Sequence, residues 1–229
     1  MENHQEHIVN YRGQKYHFMI DNPSDVIQRD HNRGRFYELE ELEYLKSVIP
    51  PKSIVIDIGA NIGNHSIYFG LVCRAEMVIP FEVNEEAIRL FNRNIERNNA
   101  GNIDLSFLGL ALGKADGFVS KRPLKQVNNL GATSFVTSSV ETEYRVKRLD
   151  DLLINIKPNF IKIDVEGMEF DVLSGAMETI INNRPILFIE VRESDTDRYF
   201  ELMKSINYRT ERTFQRYRGV YNFLSMYGR

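Results

Sequence analysis

The stretch Ile54-Val-Ile-Asp-Ile-Gly-Ala-Asn-Ile-Gly-Asn-His-Ser66 decides the fold. Its opening is a short, β-branched apolar run, the pattern of a strand covered on both faces. Gly59 and Gly63 let the chain turn tightly and approach a ligand with no side chain in the way. Asn61, between them, is among the residues that best tolerate a left-handed conformation. A helix starting near Asn64 would then turn unpaired N–H groups toward the ligand. The dinucleotide fingerprint is G-x-G-x-x-G; here the spacing is Gly59-x-Asn61-x-Gly63, with Asp57 two residues ahead of the first glycine. An acidic side chain there would repel a pyrophosphate, and it suits the ammonium end of S-adenosylmethionine.

Three more segments resemble the first: Met77 to Glu82, Phe160 to Asp164 and Pro185 to Glu190, each a buried-strand run ending in a carboxylate. Asp104 to Leu110 is a weaker strand. Between them lie helical periods. Asn84 to Asn99 sets Ala87, Ile88, Phe91 and Ile95 on one stripe, with Asn84 as N-cap. Met168 to Ile181 and Asp195 to Ile206 are the other two helices. Strands alternating with helices predict βαβ units with right-handed crossovers and a mostly parallel sheet. The tail breaks the alternation: Tyr208 to Thr213 and Val220 to Met226 read as an antiparallel pair. Ahead of the first strand, His7 to Ile20 reads as a hairpin and Phe36 to Val48 as an acidic helix. Residues 1–51 are thus expected to form an N-terminal cover, and residues 52–229 the α/β domain. Ligands of open α/β sheets bind beyond the carboxyl ends of the strands, the edge that receives Asp57, Glu82, Asp164 and Glu190. Glu82 is placed to accept hydrogen bonds from both hydroxyls of a ribose.

The 229 residues carry a net charge of −3 and are 42% hydrophobic, enough for a sizeable core. The balance gives no global field for gathering nucleic acid or anionic membrane. A single cysteine, Cys73, excludes an internal disulfide and a cysteine-rich zinc site. With no signal peptide and no apolar run near the roughly 18 residues of a spanning helix, the expectation is a soluble, cytoplasmic protein without membrane insertion.

From about Gly34 onward the sequence resembles the FkbM-type S-adenosylmethionine-dependent methyltransferases. The carriers are Val55 to Ser66, Phe81-Glu82, Ala111-Leu-Gly113, Asn129-Leu-Gly131 with Ser134, Val146 to Leu152, and above all Ile161-Lys-Ile-Asp-Val-Glu-Gly-Met-Glu169. The resemblance implies a Rossmann-like, three-layer class I methyltransferase with a seven-stranded sheet in the order 3-2-1-4-5-7-6, strand 7 antiparallel. It implies a hydroxyl acceptor on a sugar or glycoside-like small molecule. Where the family usually has Pro after the ribose-binding Glu, this chain has Val83, and Pro80 stands earlier, at what should be the frayed end of its strand.

On this reading Asp57, Gly59, Asn61, Gly63, His65, Glu82, Val83 and Asp164 bind the cofactor. Asn129, Ser134 and Glu190 bind the acceptor, under a loop formed by Val119 to Val140. Lys162, Asp164 and Glu166 carry the chemistry, Glu166 being the better general base. Lys162 and Asp164, on one side of a strand, would hold each other ionised. A hard cation could sit among Asp164, Glu166 and Glu190, yet structural carboxylates at strand ends are commoner and no metal is expected. The histidines show no paired ligand spacing; His31 is expected at the surface. Cys73 follows no strand, which argues against methylation through a cysteine adduct. Lys114 to Arg148 and Glu201 to Arg229 are each net +4, leaving the remainder at −11, so an anionic acceptor is one expectation. A homodimer would form through the N-terminal hairpin and acidic helix. Two rivals stand beside this reading: a nicotinamide-dependent oxidoreductase, disfavoured by Asp57 and the missing third glycine, and a catalytically silent adenosyl-binding module.

Overall fold

The computed structural model describes residues 5–121, 135–138 and 144–228. The chain opens with a hairpin, β1 (Gln5–Tyr11) and β2 (Gln14–Ile20), then helices α1 (Val26–Asn32) and α2 (Leu39–Val48). Strand β3 (Ile54–Ile58) leads through the glycine turn into the short helix α3 (Asn64–Ile67), then β4 (Met77–Phe81) and α4 (Glu85–Asn98). Four short strands follow: β5 (Leu110–Leu112), β6 (Gly117–Lys121), β7 (Phe135–Ser138) and β8 (Tyr144–Lys147). Beyond α5 (Leu149–Leu152) come β9 (Phe160–Ile163), α6 (Glu169–Gly175), α7 (Met177–Asn183), β10 (Ile186–Arg192) and α8 (Thr196–Ser205). The antiparallel pair β11 (Tyr208–Tyr217) and β12 (Val220–Tyr227) ends the chain.

The central sheet has six strands in the order β11-β12-β10-β9-β3-β4. β10, β9, β3 and β4 run parallel, and β12 is inserted antiparallel between β10 and β11. In the expected numbering this is 2-1-4-5-7-6. The expected third strand is missing from it. Just ahead of the segment at 104–110 the chain makes a single parallel bridge, Ile103 to Val78; the segment itself curls into a 3-10 turn at Leu105–Phe107 and passes into β5, which joins a separate four-stranded sheet β5-β8-β6-β7. Pro80 accounts for the break. On the outer side of β4, Val78 donates its N–H to Asn102 and accepts from Asp104; two residues on, the same side falls to Pro80, which has no N–H to offer.

The predicted helix at 168–181 is two helices, broken at Ala176. Glu190 lies inside a strand that continues to Arg192. Of the stretch expected as a loop over the acceptor, residues 119–121 belong to β6 and residues 135–138 are β7; the rest of it lies outside the described residues.

Alternation along β3 and β9 divides the core between the two faces of the sheet. Ile56, Ile58, Ile161 and Ile163 pack with Leu173, Ile180 and Tyr199 on one face. Val55 and Phe160 pack on the other with Tyr68, Phe69 and Phe91, and with Phe18, Phe36 and Leu42 of the N-terminal elements. Two asparagines one turn apart on α4 bind the hairpin. Asn98 accepts from the His17 N–H (2.9 Å) and donates back to the His17 carbonyl (2.7 Å). Asn94 accepts from the Met19 N–H (2.7 Å) and donates to Ile62 of the glycine turn (2.8 Å). An amphipathic helix thereby satisfies part of the backbone edge of β2 that would otherwise be buried without partners. Among the described residues, no helix is long and apolar enough to cross a membrane.

Candidate active site

Beyond the carboxyl ends of β4, β3, β9 and β10 opens a cavity of about 340 Å³, within the ordinary range for small-molecule sites. Gly59, Asn61, His65, Glu82, Val83, Lys162, Asp164, Glu166 and Glu190 all line it. Three strand spacings separate β4, which delivers Glu82, from β10, which carries Glu190, or about 14 Å at roughly 4.8 Å per strand.

At the β4 end, both oxygens of Glu82 already accept backbone N–H groups: Asn61 on Oε2 (2.8 Å), and Val83 (2.8 Å) and Asn84 (2.7 Å) on Oε1. Burial raises the Glu82 pKa and these three bonds oppose the rise. A carboxylate offers about four acceptor positions, so about one remains for a ribose hydroxyl, not the two expected. Asn61 Oδ1 is a buried acceptor without a hydrogen-bond partner among the described residues. These acceptor oxygens are of the kind that would suit the hydroxyls of an adenosyl ribose.

The glycines make the expected tight turn, and packing adds a second reason for them. Gly59 and Gly63 sit at φ 78° and 87°. A Cβ on Gly59 would lie 1.7 Å from the Asp164 carbonyl oxygen, and one on Gly63 2.3 Å from the Phe91 ring. Both glycines are required by protein packing, and the Gly59 and Ala60 N–H groups are bound to the Phe81 carbonyl (2.9 and 3.0 Å).

Asp57 does not line the cavity, contrary to expectation. It is fully buried behind the wall, accepts from Ser66 Oγ (2.6 Å), and faces the Lys162 ammonium at 3.4 Å. Asp57 and Lys162 are direct partners in the β3–β9 ladder, so their side chains leave the sheet on the same face. Lys162 Nζ also lies 3.4 Å from Asp164 Oδ2 and donates to the Gly59 carbonyl at 3.2 Å. Burial alone would lower the Lys162 pKa; the carboxylates of Asp164 and Asp57 outweigh it and raise it. Lys162 is therefore a charged anchor and not a proton acceptor.

The β10 end is acidic. One oxygen each of Asp164, Glu166 and Glu190 lie within 4.8 Å of one another. Burial, then the Asp164 charge, push the Glu166 carboxyl up to about 7, with Arg192 at 3.9 Å opposing. Burial, then the charges of Asp164 and Glu166, push Glu190 far above the usual carboxylate range. Glu166 stands in the turn before α6 at φ 54°. Glu169, by contrast, is the first residue of α6 and accepts from the Gly167 N–H (2.8 Å), so it serves the helix end and not the cleft. Asn129 and Ser134 lie outside the described residues. His31 is fully buried, not at the surface; it stacks on Phe18 with ring centroids 3.7 Å apart and bonds Asn64 at 2.8 Å.

The model of the methyltransferase FkbM domain matches residues 57–210, more than half of the chain. The chain belongs to the FkbM methyltransferase family. This family member is 28% identical over 149 residues to Methyltransferase 1 of Beauveria bassiana, covering 55% of this chain and 59% of that protein. It is 24% identical over 190 residues to Hexuronic acid methyltransferase AglP of Haloferax volcanii, covering 80% of this chain and 73% of that protein. Methyltransferase FkbM from Methylobacillus flagellatus superposes on it with a TM-score of 0.54 at 21% identity, over 86% of this chain and 52% of that structure. The FkbM-family chain thus spans little more than half the length of the first curated relative and of this solved structure.

Proposed function

We propose that this chain is an S-adenosylmethionine-dependent O-methyltransferase acting on a hydroxyl of a sugar or glycoside-like small molecule. The observation that carries the reading is a single cleft with the Glu82–Asn61 acceptor pair at one end and the Asp164–Glu166–Glu190 cluster at the other. Asn61, Glu82 and Val83 would hold the adenosyl part. The cofactor supplies, when bound, an electrophilic methyl group. The remaining work falls to the chain's own side chains. Bringing the acceptor beside that group supplies much of the rate of such a transfer. Glu166 takes the hydroxyl proton as the oxygen forms its new bond, because its pKa near neutrality suits a general base. Glu190, held protonated, donates a hydrogen bond to a neighbouring acceptor oxygen. Asp164 stays bound to the Lys162 ammonium and keeps the cluster in place.

A cluster of carboxylates attracts hydroxyl donors and opposes an anion, which favours an uncharged acceptor over the anionic one that the basic segments suggested. The name of the Haloferax volcanii relative supports a sugar-like acceptor; for this chain the reading takes a hydroxyl and not a carboxylate. The relevant acceptor set is therefore glycosides and polyols, and the reading calls on neither a metal ion nor nicotinamide.

Calorimetric titration tests the cofactor half directly. S-adenosylhomocysteine should bind, NAD should not, and a chelator should leave methyl transfer unchanged. Binding of NAD in its place, or activity lost to chelator and restored by Mg²⁺, would overturn the reading.

A further inference from the structure

The cleft holds one more carboxylate, outside residues 57–210. Glu38 stands at the N-terminus of α2, where the preferred residue has extended backbone and a side chain that caps the first turn. Glu38 has neither: its φ is 57° and ψ 37°, in the left-handed region, and its side chain makes no cap bond. Such a conformation costs a non-glycine residue free energy and persists only where its surroundings impose it. Asn64 imposes it here. It accepts from the Tyr37 N–H (3.1 Å) and donates to the Tyr37 carbonyl (3.1 Å), fixing the backbone just ahead of Glu38.

The side chain, in a residue only 7% exposed, lines the cavity with Oε2 3.2 Å from His65 Nε2. His65 Nδ1 faces the Asn64 amide nitrogen at 3.4 Å. His65 Nε2 makes no hydrogen bond among the described residues, so its contact with Glu38 is one of proximity and charge. His65 lines the same cavity beside Glu38. The Glu38 charge reaches both Lys162 and Glu190, raising the proton affinity of each.

We propose that Glu38 is an acceptor-binding residue: its carboxylate takes a hydrogen bond from a second hydroxyl of a polyhydroxylated acceptor and so selects polyols over simple alcohols. The assignment rests on the sugar-hydroxyl reading above. It makes the N-terminal segment part of the specificity machinery.

The test uses the full chain saturated with S-adenosylhomocysteine and titrated with methyl glucoside and its monodeoxy analogues. Two variants are compared: Glu38→Gln, close to isosteric, and Glu38→Asn, whose side chain tolerates the left-handed backbone. Both should bind methyl glucoside about ten- to a hundredfold more weakly, the size of a lost hydrogen bond to a charged group. Both should also lose the wild type's discrimination against one deoxy analogue, with S-adenosylhomocysteine affinity within about twofold of wild type. Unchanged glucoside affinity in both variants would overturn the assignment. So would a parallel fall in glucoside and S-adenosylhomocysteine affinity, which marks a structural brace. A wild type that binds no glycoside would overturn the sugar reading and this assignment with it.

Discussion

Lys162 and Asp57, paired across adjacent parallel strands, form an ion pair at 3.4 Å, with residues 2% and 0% exposed. The same ammonium lies 3.4 Å from Asp164, so one buried cation holds the floor of the cleft to the turn that carries the acidic cluster. Lys162→Met should leave two carboxylates without their counter-charge. Breaking a buried pair from one side costs about 3–5 kcal/mol, and urea denaturation at pH 7 should show a loss of that order. A change within about 1 kcal/mol would mean the pair contributes nothing net.

The pH dependence of turnover should report Glu166. Its pKa is raised to about 7, so the carboxyl is protonated below neutrality and available as a base above it. The pH profile of kcat/KM should therefore climb with unit slope and level off above about 7. Glu166→Gln should lower kcat by about a hundred- to ten-thousandfold and abolish that limb. A limb that survives in the Gln variant would assign the base elsewhere.

Glu82→Gln tests the cofactor end. A carboxamide must point its NH₂ at one of the backbone N–H groups of Asn61, Val83 or Asn84 that the carboxylate now satisfies. The ribose hydroxyl would also lose its charged acceptor, worth about 1.5–3 kcal/mol, so calorimetry should find S-adenosylhomocysteine bound about ten- to a hundredfold more weakly. Unaltered affinity would remove Glu82 from the site.

His31 should make folding acid-sensitive. Burial lowers its pKa from 6.5 to about 4. The unfolded chain therefore binds the proton more readily; the stabilisation is full above pH 6.5 and is lost as pH falls toward 4. The shift corresponds to roughly 3 kcal/mol. Glu166 and Glu190 act in the opposite sense, since acids with raised pKa values stabilise the fold at low pH, and stability falls as pH rises above the ordinary carboxylate value. The clean readout is thus the difference between wild type and His31→Gln in urea denaturation at pH 7 and pH 5. The wild type should lose more stability than the variant over that interval. Equal losses would contradict a neutral, buried His31.

The four buried strands were legible because β-branched runs bounded by turns admit few other structures, and α4 because its apolar stripe and its Asn84 cap agree. The third strand was misread: Asp104 to Leu110 is apolar enough to pair, but its partner edge is closed by Pro80, a long-range effect that local pattern does not carry. The glycine turn was legible, and the packing that also demands glycine there was not, since the collisions at Gly59 and Gly63 come from Asp164 and Phe91, distant in sequence. Asn94 and Asn98, polar residues on the same helix side as Phe91 and Ile95, were a signal that could have revealed the docked hairpin. Glu38 carried no such signal. One more acid in an acidic helix says nothing of a left-handed backbone or of the cleft it faces.

The most direct measurement is transfer of label from methyl-tritiated S-adenosylmethionine into a panel of glycosides and hexuronic acids, followed by mild alkali. The account predicts label in the sugar fraction that survives alkali, as a methyl ether does, and loss of that label with Glu166→Gln. Label released by alkali would show a methyl ester on a carboxylate, and no transfer to any sugar would contradict the proposed acceptor altogether.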